Sequence, residues 1–329
     1  MKTGFTLGKF APFHKGHEDL IETALQEMDH VIAIVYNASE VTDVPTHVRA
    51  NWIKQIFPSV EVIIAEDGPQ DTGYSDEIIQ KQNTYLNQLL KGKQLDAFYS
   101  GEKYGAYVSD FFHCENRVVD IDRTKIQTSG TLIRQGHYSR RVLSKNVFDS
   151  VKPRVYFLGG PSTGKSTLSL FCSQKLGGAY CKEYGRDYWF ENQENHRLTM
   201  TDLEIIAREQ ALLEDDVSKG DEDYLFIDTT TITTLSYAYY YWGYASPVLE
   251  NIVKQNLYKY KNIYLCSDDI PFDDTWDRSG PASRNEIQEI NKQMLNRFGL
   301  PYKELFGSVE DRYSVVAQDL KRWKLCGVY

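Results

Sequence analysis

The sequence predicts two α/β domains in succession, each a doubly wound parallel sheet with helices on both faces. Three observations carry this. Apolar runs alternate with helical patterns from residue 3 onward, as strands joined by crossover helices do. After Pro153 a fresh strand, glycine loop and helix begin. The 329 residues suffice for two cores and exceed the usual size of one. The boundary is expected near residue 150, giving domains 1–150 and 151–329.

In the first domain "TGFTLGKF" reads as a strand feeding a helix through "GHEDLIETALQEM". A strand at "HVIAIVYNAS", a helix at "HVRANWIKQIF" and a strand at "VEVIIAED" follow. A helix through "DEIIQKQNTYLNQLLKG", strands at "LDAFYSGE" and "NRVVDI", and a helix near "SGTLIRQGHYSRRVL" complete the set. In the second domain "RVYFLGG", "YLFIDTT" and "NIYLCSDD" are strand-like, with longer helical stretches between them. In such sheets ligands sit at the carboxyl ends of the strands.

A net charge of −9 argues against nucleic acid or an anionic membrane as the main partner, since both demand a basic surface. A local positive pocket for small anions stays compatible with it. No stretch nears the ~20 apolar residues of a membrane span, and no charged leader precedes an apolar core, so a cytoplasmic enzyme is expected. Cys114, Cys172, Cys181, Cys266 and Cys326 are widely spaced with no CxxC pair, and read as reduced thiols. A homo-oligomer is compatible with the composition.

Gly159, Gly164, Lys165 and Ser166 fill the spacing G-x-x-x-x-G-K-[ST] between an apolar strand and the helical "TLSLFCSQKL". Glycines there let backbone amides surround a β-phosphate, the lysine reaches the β and γ oxygens, and the serine hydroxyl can ligate Mg²⁺. Gly160 and Thr167 belong to the same ATP-binding loop. Asp228 ends a strand and is either a metal-holding or proton-accepting acid, or the N-cap of the next helix. Arg278 and Arg284 in "PFDDTWDRSGPASR" either close over a transferring phosphoryl group or are solvated. Tyr237, Tyr240, Tyr241 and Tyr244 in "SYAYYYWGY" either face a planar cation or pack as a buried helix.

In "GKFAPFHKGH", Gly8 ends a strand and His14 and His17 stand at a helix start. No third ligand of zinc spacing lies near, so the phosphate reading is preferred: imidazole donors and free amides stabilise charge on an α-phosphate and leaving pyrophosphate. Ser129, Thr131 and Arg134 at a second helix start are a matching grip for β and γ phosphates, or a plain capped helix.

"GKFAPFHKGH" with "SGTLIR" resembles the paired signatures of the HxGH nucleotidyltransferases. Lys9 and Phe10, the "VRANWI" helix with Arg49 and Trp52, and "SGEKYG" with Glu102 and Tyr104 are similar to the branch that adenylylates nicotinamide mononucleotide. A tryptophan placed as Trp52 is also a common core residue. The second half resembles the P-loop ribosylnicotinamide kinase domain of bacterial NadR-type proteins through "GGPSTGKST", "KEYGRDYWF", "FIDTTTITT" and "DDIPFDDTWDR".

The resemblance implies a Rossmann-like transferase over 1–150, a kinase over 151–329, and two reactions. Nicotinamide riboside is phosphorylated with ATP and Mg²⁺ to the mononucleotide, with Lys165 neutralising phosphates and Asp228 holding metal or taking the proton. Glu183 and Arg186 are implied riboside or phosphate contacts, with a surface ion pair as the other reading. A second ATP then gives NAD and pyrophosphate, with His14, His17, Lys9 and Arg134 carrying the step. The chain starts on its first strand without the helix-turn-helix of NadR-type repressors, so no transcriptional role is expected. Thr275-Trp276-Asp277-Arg278 departs from the Asp-Gly expected in the lid. A coenzyme A synthase-type enzyme and a NAD sensor with one degenerate half are the rival readings.

Overall fold

The computed structural model describes residues 1–71, 73–102, 104–135, 140–194, 197–272 and 281–326, without the side chains of 281–282 and 322–326. The chain divides into two compact units, Met1–Phe148 and Asp149–Tyr329.

Unit 1 contains β1 (Thr3–Gly8), α1 (Lys15–Glu27), β2 (His30–Tyr36), α2 (Thr46–Ile56), β3 (Glu61–Ala65), α3 (Asp76–Leu89), β4 (Ala97–Ser100), α4 (Gly105–Phe112), β5 (Glu115–Val118) and α5 (Gly130–Arg134). The helix α6 (Lys145–Val151) runs across the division. The sheet order is β3-β2-β1-β4-β5 with every pair parallel. Strand order reverses at β1, which opens a crevice beyond the carboxyl ends of β1 and β4. Phe5, Ile32, Ile34 and Phe98 are fully buried in the core behind it. The helix expected from residue 129 to 143 is described only as the short α5, with a separate turn at 140–142.

Unit 2 contains β6 (Arg154–Leu158), α7 (Lys165–Leu176), β7 (Ala179–Cys181), α8 (Tyr184–Asn192), α9 (Met200–Val217), β8 (Leu225–Asp228), α10 (Thr231–Trp242), α11 (Pro247–Asn256), β9 (Asn262–Cys266), α12 (Pro281–Arg297), β10 (Tyr302–Leu305) and α13 (Val309–Cys326). Its order is β10-β9-β6-β8-β7, again all parallel. Buried Val155, Phe157, Phe226 and Tyr264 pack on α7 and α13 on one side, and Tyr156, Leu225, Ile227 and Leu265 pack against α9–α12 on the other. The sequence reading found β6, β8 and β9. It missed β7 and β10, which are short edge strands. In β10, Lys303 pairs with Asp319 and Glu304 with Lys292, so charge replaces the apolar signal, as edges generally require. Among the described residues no helix is long and apolar enough to cross a membrane.

Candidate active sites

In unit 1 the loop after β1 carries Lys9 through His14, and α1 begins at Lys15. His14 is the N-cap of α1: its Nδ1 accepts from the Gly16 amide at 3.1 Å, and His17 Nδ1 accepts from the His14 amide at 3.3 Å. Both rings therefore carry their proton on Nε2, which is left as a donor. The rings stack with centroids 3.7 Å apart, and Phe10 and Phe13 enclose His17. Burial lowers the His14 pKa to about 4, with a further push from Arg123, and burial holds His17 well below its usual value. Both are neutral imidazoles at neutral pH.

The crevice at β1 and β4 is a cavity lined by Gly8, Lys9, Phe10, His14, His17, Glu102, Tyr104, Ser129, Thr131 and Arg134, among others. Lys9 is ion-paired with Glu40. Arg134 donates to Ala11 O at 2.5 Å and to Thr131 Oγ1 at 3.2 Å, and Ser129 caps α5 by accepting from the Leu132 amide. Tyr104 donates to Leu7 O at 3.2 Å. Phe10 has a φ of 46°, uncommon for a bulky residue and at a point where the loop turns into the cavity.

Two expected ligand contacts stand elsewhere. Trp52 is 3 % exposed in the core face of α2 and does not line the cavity. Arg49, 1 % exposed, is also absent from the lining; it donates to the carbonyls of Lys9, Tyr36 and Val44 and to Thr46 Oγ1. Arg49 shapes the loop from behind because its fork of donors meets four convergent acceptors. The sequence reading missed Arg123, a cavity-lining guanidinium with no hydrogen bond or ion pair among the described residues. Its turn is set by Asp120, whose carboxylate accepts from the amides of Thr124, Lys125 and Ile126, and no spacing rule signals that.

In unit 2 the loop from Gly159 to Gly164 joins β6 to α7. A Cβ on Gly160 would lie 2.4 Å from the Arg284 carbonyl, and Gly164 has a φ of 80°, so both positions require glycine. The Gly160 amide donates to Gln288 Oε1 at 2.7 Å, and Lys165 Nζ donates to Gly160 O at 2.8 Å. Ser166 and exposed Thr167 open α7. Asp228 is 1 % exposed at the end of β8, hydrogen-bonded to Ser166, and its Oδ1 has no partner among the described residues. Burial raises its pKa against the pull of Lys165, Ser166 and Arg186. The N-cap of α10 is Thr230, so Asp228 is not the cap.

Beside the loop lies a cavity lined by Ser162, Lys165, Glu183, Arg186, Trp189, Gln210, Thr229, Thr233, Tyr237 and Tyr241, among others. Glu183 is the N-cap residue of α8; Arg186 lies 3.6 Å from it and donates to Ser166 Oγ at 3.0 Å. Of the expected aromatic face, Tyr237 and Tyr241 line this cavity, whereas Tyr244 is exposed and Tyr240 is not in the lining. Arg284 is buried and donates to Ile270 O at 2.9 Å, so it braces the loop rather than standing solvated. Arg278, with Thr275, Trp276 and Asp277, lies outside the described residues.

A cytidylyltransferase-like family model matches residues 5–136, and an AAA domain model matches residues 154–312. The trifunctional NAD biosynthesis/regulator protein NadR of Escherichia coli K12 is 26% identical over 325 residues, 91% of this chain and 77% of that protein. The protein of the same description from Salmonella typhimurium LT2 matches at the same identity and coverage. A phosphopantetheine adenylyltransferase of Mycoplasma mycoides, 27% identical over 147 residues, covers 43% of this chain. A solved NadR protein in complex with NAD and AMP-PNP has a TM-score of 0.64 at 22% identity, over 98% of this chain and 96% of that one. A NadR structure in complex with NR has the same TM-score and coverage at 21% identity.

Proposed function

We infer that this chain is a NadR-type bifunctional enzyme of NAD biosynthesis, on its likeness to NadR relatives over 91% of its length and on the two family models matched in succession. Unit 2 phosphorylates nicotinamide riboside with ATP, and unit 1 joins the resulting mononucleotide to the adenylyl group of a second ATP. The observation that carries this is the succession in one chain of two cavities, one around paired neutral histidines and one around a P-loop, matched along 91% of its length by NadR relatives. The whole reaction sequence uses small soluble substrates, which suits a cytoplasmic setting.

In unit 2, Lys165 Nζ leaves Gly160 O for the β and γ oxygens, and the loop amides hold the β-phosphate. Ser166 and Asp228 are hard oxygen donors, and the unpartnered Asp228 Oδ1 fits them to hold Mg²⁺, which supplies charge neutralisation at those oxygens. Glu183 and Arg186 contact riboside and phosphate, and the riboside 5′-hydroxyl takes the γ-phosphoryl group as the bond to ADP breaks, its proton passing to the Asp228 carboxylate or to solvent. Trp189, Tyr237 and Tyr241 offer π-faces to the pyridinium ring.

In unit 1 the mononucleotide phosphate attacks the α-phosphorus and pyrophosphate leaves. The nucleophile is already an anion, so positioning and charge stabilisation suffice. The Nε2–H groups of His14 and His17 stabilise the charge at the α-phosphate, while Lys9, Ser129, Thr131 and Arg134 hold the remaining phosphates. Gly8 and Phe10 shape the turn, and Glu102 and Tyr104 contact the mononucleotide from the end of β4. Arg49 supports the loop from behind, and Trp52 packs in the core face of α2.

The test is product analysis after incubation with ATP and either nicotinamide riboside or phosphopantetheine. NAD from the riboside is expected. Consumption of the pantetheine compound alone would overturn the assignment in favour of a coenzyme A synthase-type enzyme.

A further inference from the structure

Five of the six residues from Thr229 to Thr234 are threonines. The fold accounts for two of the hydroxyls. Thr230 Oγ1 caps α10 by accepting from the Ile232 amide at 3.0 Å, and Thr231 Oγ1 bonds the Tyr260 hydroxyl at 2.7 Å. Two others have no such use. Thr229 and Thr233 are 5 % and 4 % exposed, and their Oγ1 atoms have no hydrogen-bond partner among the described residues. Both residues line the cavity beside the P-loop.

An unpaired buried hydroxyl costs the fold about 1–3 kcal/mol. Thr233 does not even make the back-bond to the preceding helical turn that threonine commonly uses. Thr229 has a φ of 73°, a backbone conformation disfavoured for a β-branched residue, and its amide is fixed to Phe157 O at 3.0 Å. Strain and two unsatisfied hydroxyls, their oxygens shielded from solvent, therefore fall on two residues that line one cavity.

Position along the cavity says what they meet. Thr233, Tyr237 and Tyr241 recur every four residues and share one face of α10. Each such interval advances about 6 Å along the helix. Thr229 and Thr233 stand nearest Asp228 at the phosphoryl-transfer end, and the aromatic rings stand one and two turns beyond. A nucleoside with its 5′-oxygen at Lys165 and Asp228 and its base among the aromatics puts its sugar beside the threonines.

We propose that the Thr229 and Thr233 hydroxyls bind the secondary hydroxyls of the ribose and select ribonucleosides over deoxyribonucleosides. The assignment rests on the riboside-kinase reading above. A hydroxyl both donates and accepts, so it suits another hydroxyl, and a site built for a substrate hydroxyl penalises an analogue lacking it.

Calorimetric binding without ATP tests this on the full chain with nicotinamide riboside and its 2′-deoxy and 3′-deoxy analogues. Thr233→Val is expected to bind the riboside about tenfold more weakly than wild type, with Thr233→Ser close to wild type. Against one of the two deoxy analogues the Val variant and wild type should bind alike. Its ligand-free Tm should be no lower than that of wild type, because the lost hydroxyl had no partner. Equal riboside affinity in the Val variant, or an equal loss with all three ligands, overturns the proposal. Should the Val variant not fold, Thr229→Ala with the same three ligands decides by the same criteria. Absence of riboside binding in wild type would instead overturn the kinase reading on which the proposal stands.

Discussion

His14 and His17 lie ring on ring, 3.7 Å between centroids, each with its Nδ1 engaged by a backbone amide. The pair works as neutral donors, and its protonation is a cost to the fold. The folded pKa of His14, about 4, lies below the usual 6.5, so the unfolded chain binds more protons between those values. Stability from this residue is therefore full above pH 6.5 and falls as pH drops towards 4, by about 3 kcal/mol in all. Thermal unfolding followed from pH 4 to 8 should show that slope in wild type and a shallower one in His14→Gln. The His14 Cε1 proton resonance should not titrate between pH 5.5 and 8; a midpoint near 6.5 would contradict the neutral pair.

Separate substrates should separate the units. Lys165→Ala is expected to lose about a hundredfold or more in riboside phosphorylation while still converting added mononucleotide to NAD. His17→Ala should do the reverse, so that mononucleotide accumulates from riboside. Chromatography of the nucleotide products checks both, and full NAD synthesis from riboside by either variant would remove its residue from the proposed role.

Arg49→Ala leaves the carbonyls of Lys9, Tyr36 and Val44 without their shared donor. A loss of about 3 kcal/mol is expected, a fall on the order of 10 °C in the Tm of unit 1. The KM for ATP in the transferase step should rise as the Lys9 loop loosens. Arg49→Lys should recover only part, since one ammonium cannot serve the same four acceptors. A variant as stable as wild type would show that the loop needs no such brace.

Gly160→Ala sets a methyl group against the Arg284 carbonyl at 2.4 Å. The contact is with backbone, which cannot swing aside. Kinase activity should fall by at least a hundredfold with the transferase step unchanged. Normal riboside turnover in this variant would mean that the loop and α12 separate in solution.

Much of this was legible from sequence where one physical signal dominates. The strands β2 and β6 are buried on both faces and read as apolar runs, and the P-loop is fixed by glycines that nothing else can replace. Edges and supports were not legible. β7 is too short to show a period, and β10 carries its charges in pairs with distant helices. Arg49 and Trp52 stand in a helix close to the first motif, yet which way each points depends on packing, and both turn inward. Arg312, which donates to the carbonyls of Thr163 and Ser267, acts through contacts across long stretches of chain, which spacing cannot encode. Within the threonine run, sequence marks a cluster but not which hydroxyls the fold uses.

Arg312 on α13 donates to Thr163 O at 2.6 Å and to Ser267 O at 3.0 Å, and pairs with Asp269. Residues 163 and 312 are 149 positions apart. A ribosome delivers the glycine loop early in its domain and the arginine that buttresses it 149 residues later. The five strands described for unit 1 are complete by Val118, whereas the cradle of unit 2 waits for Arg312. Domains fold in order of emergence, so a growing chain acquires the adenylylating half before the phosphorylating one, the opposite of the order in which a riboside would meet them.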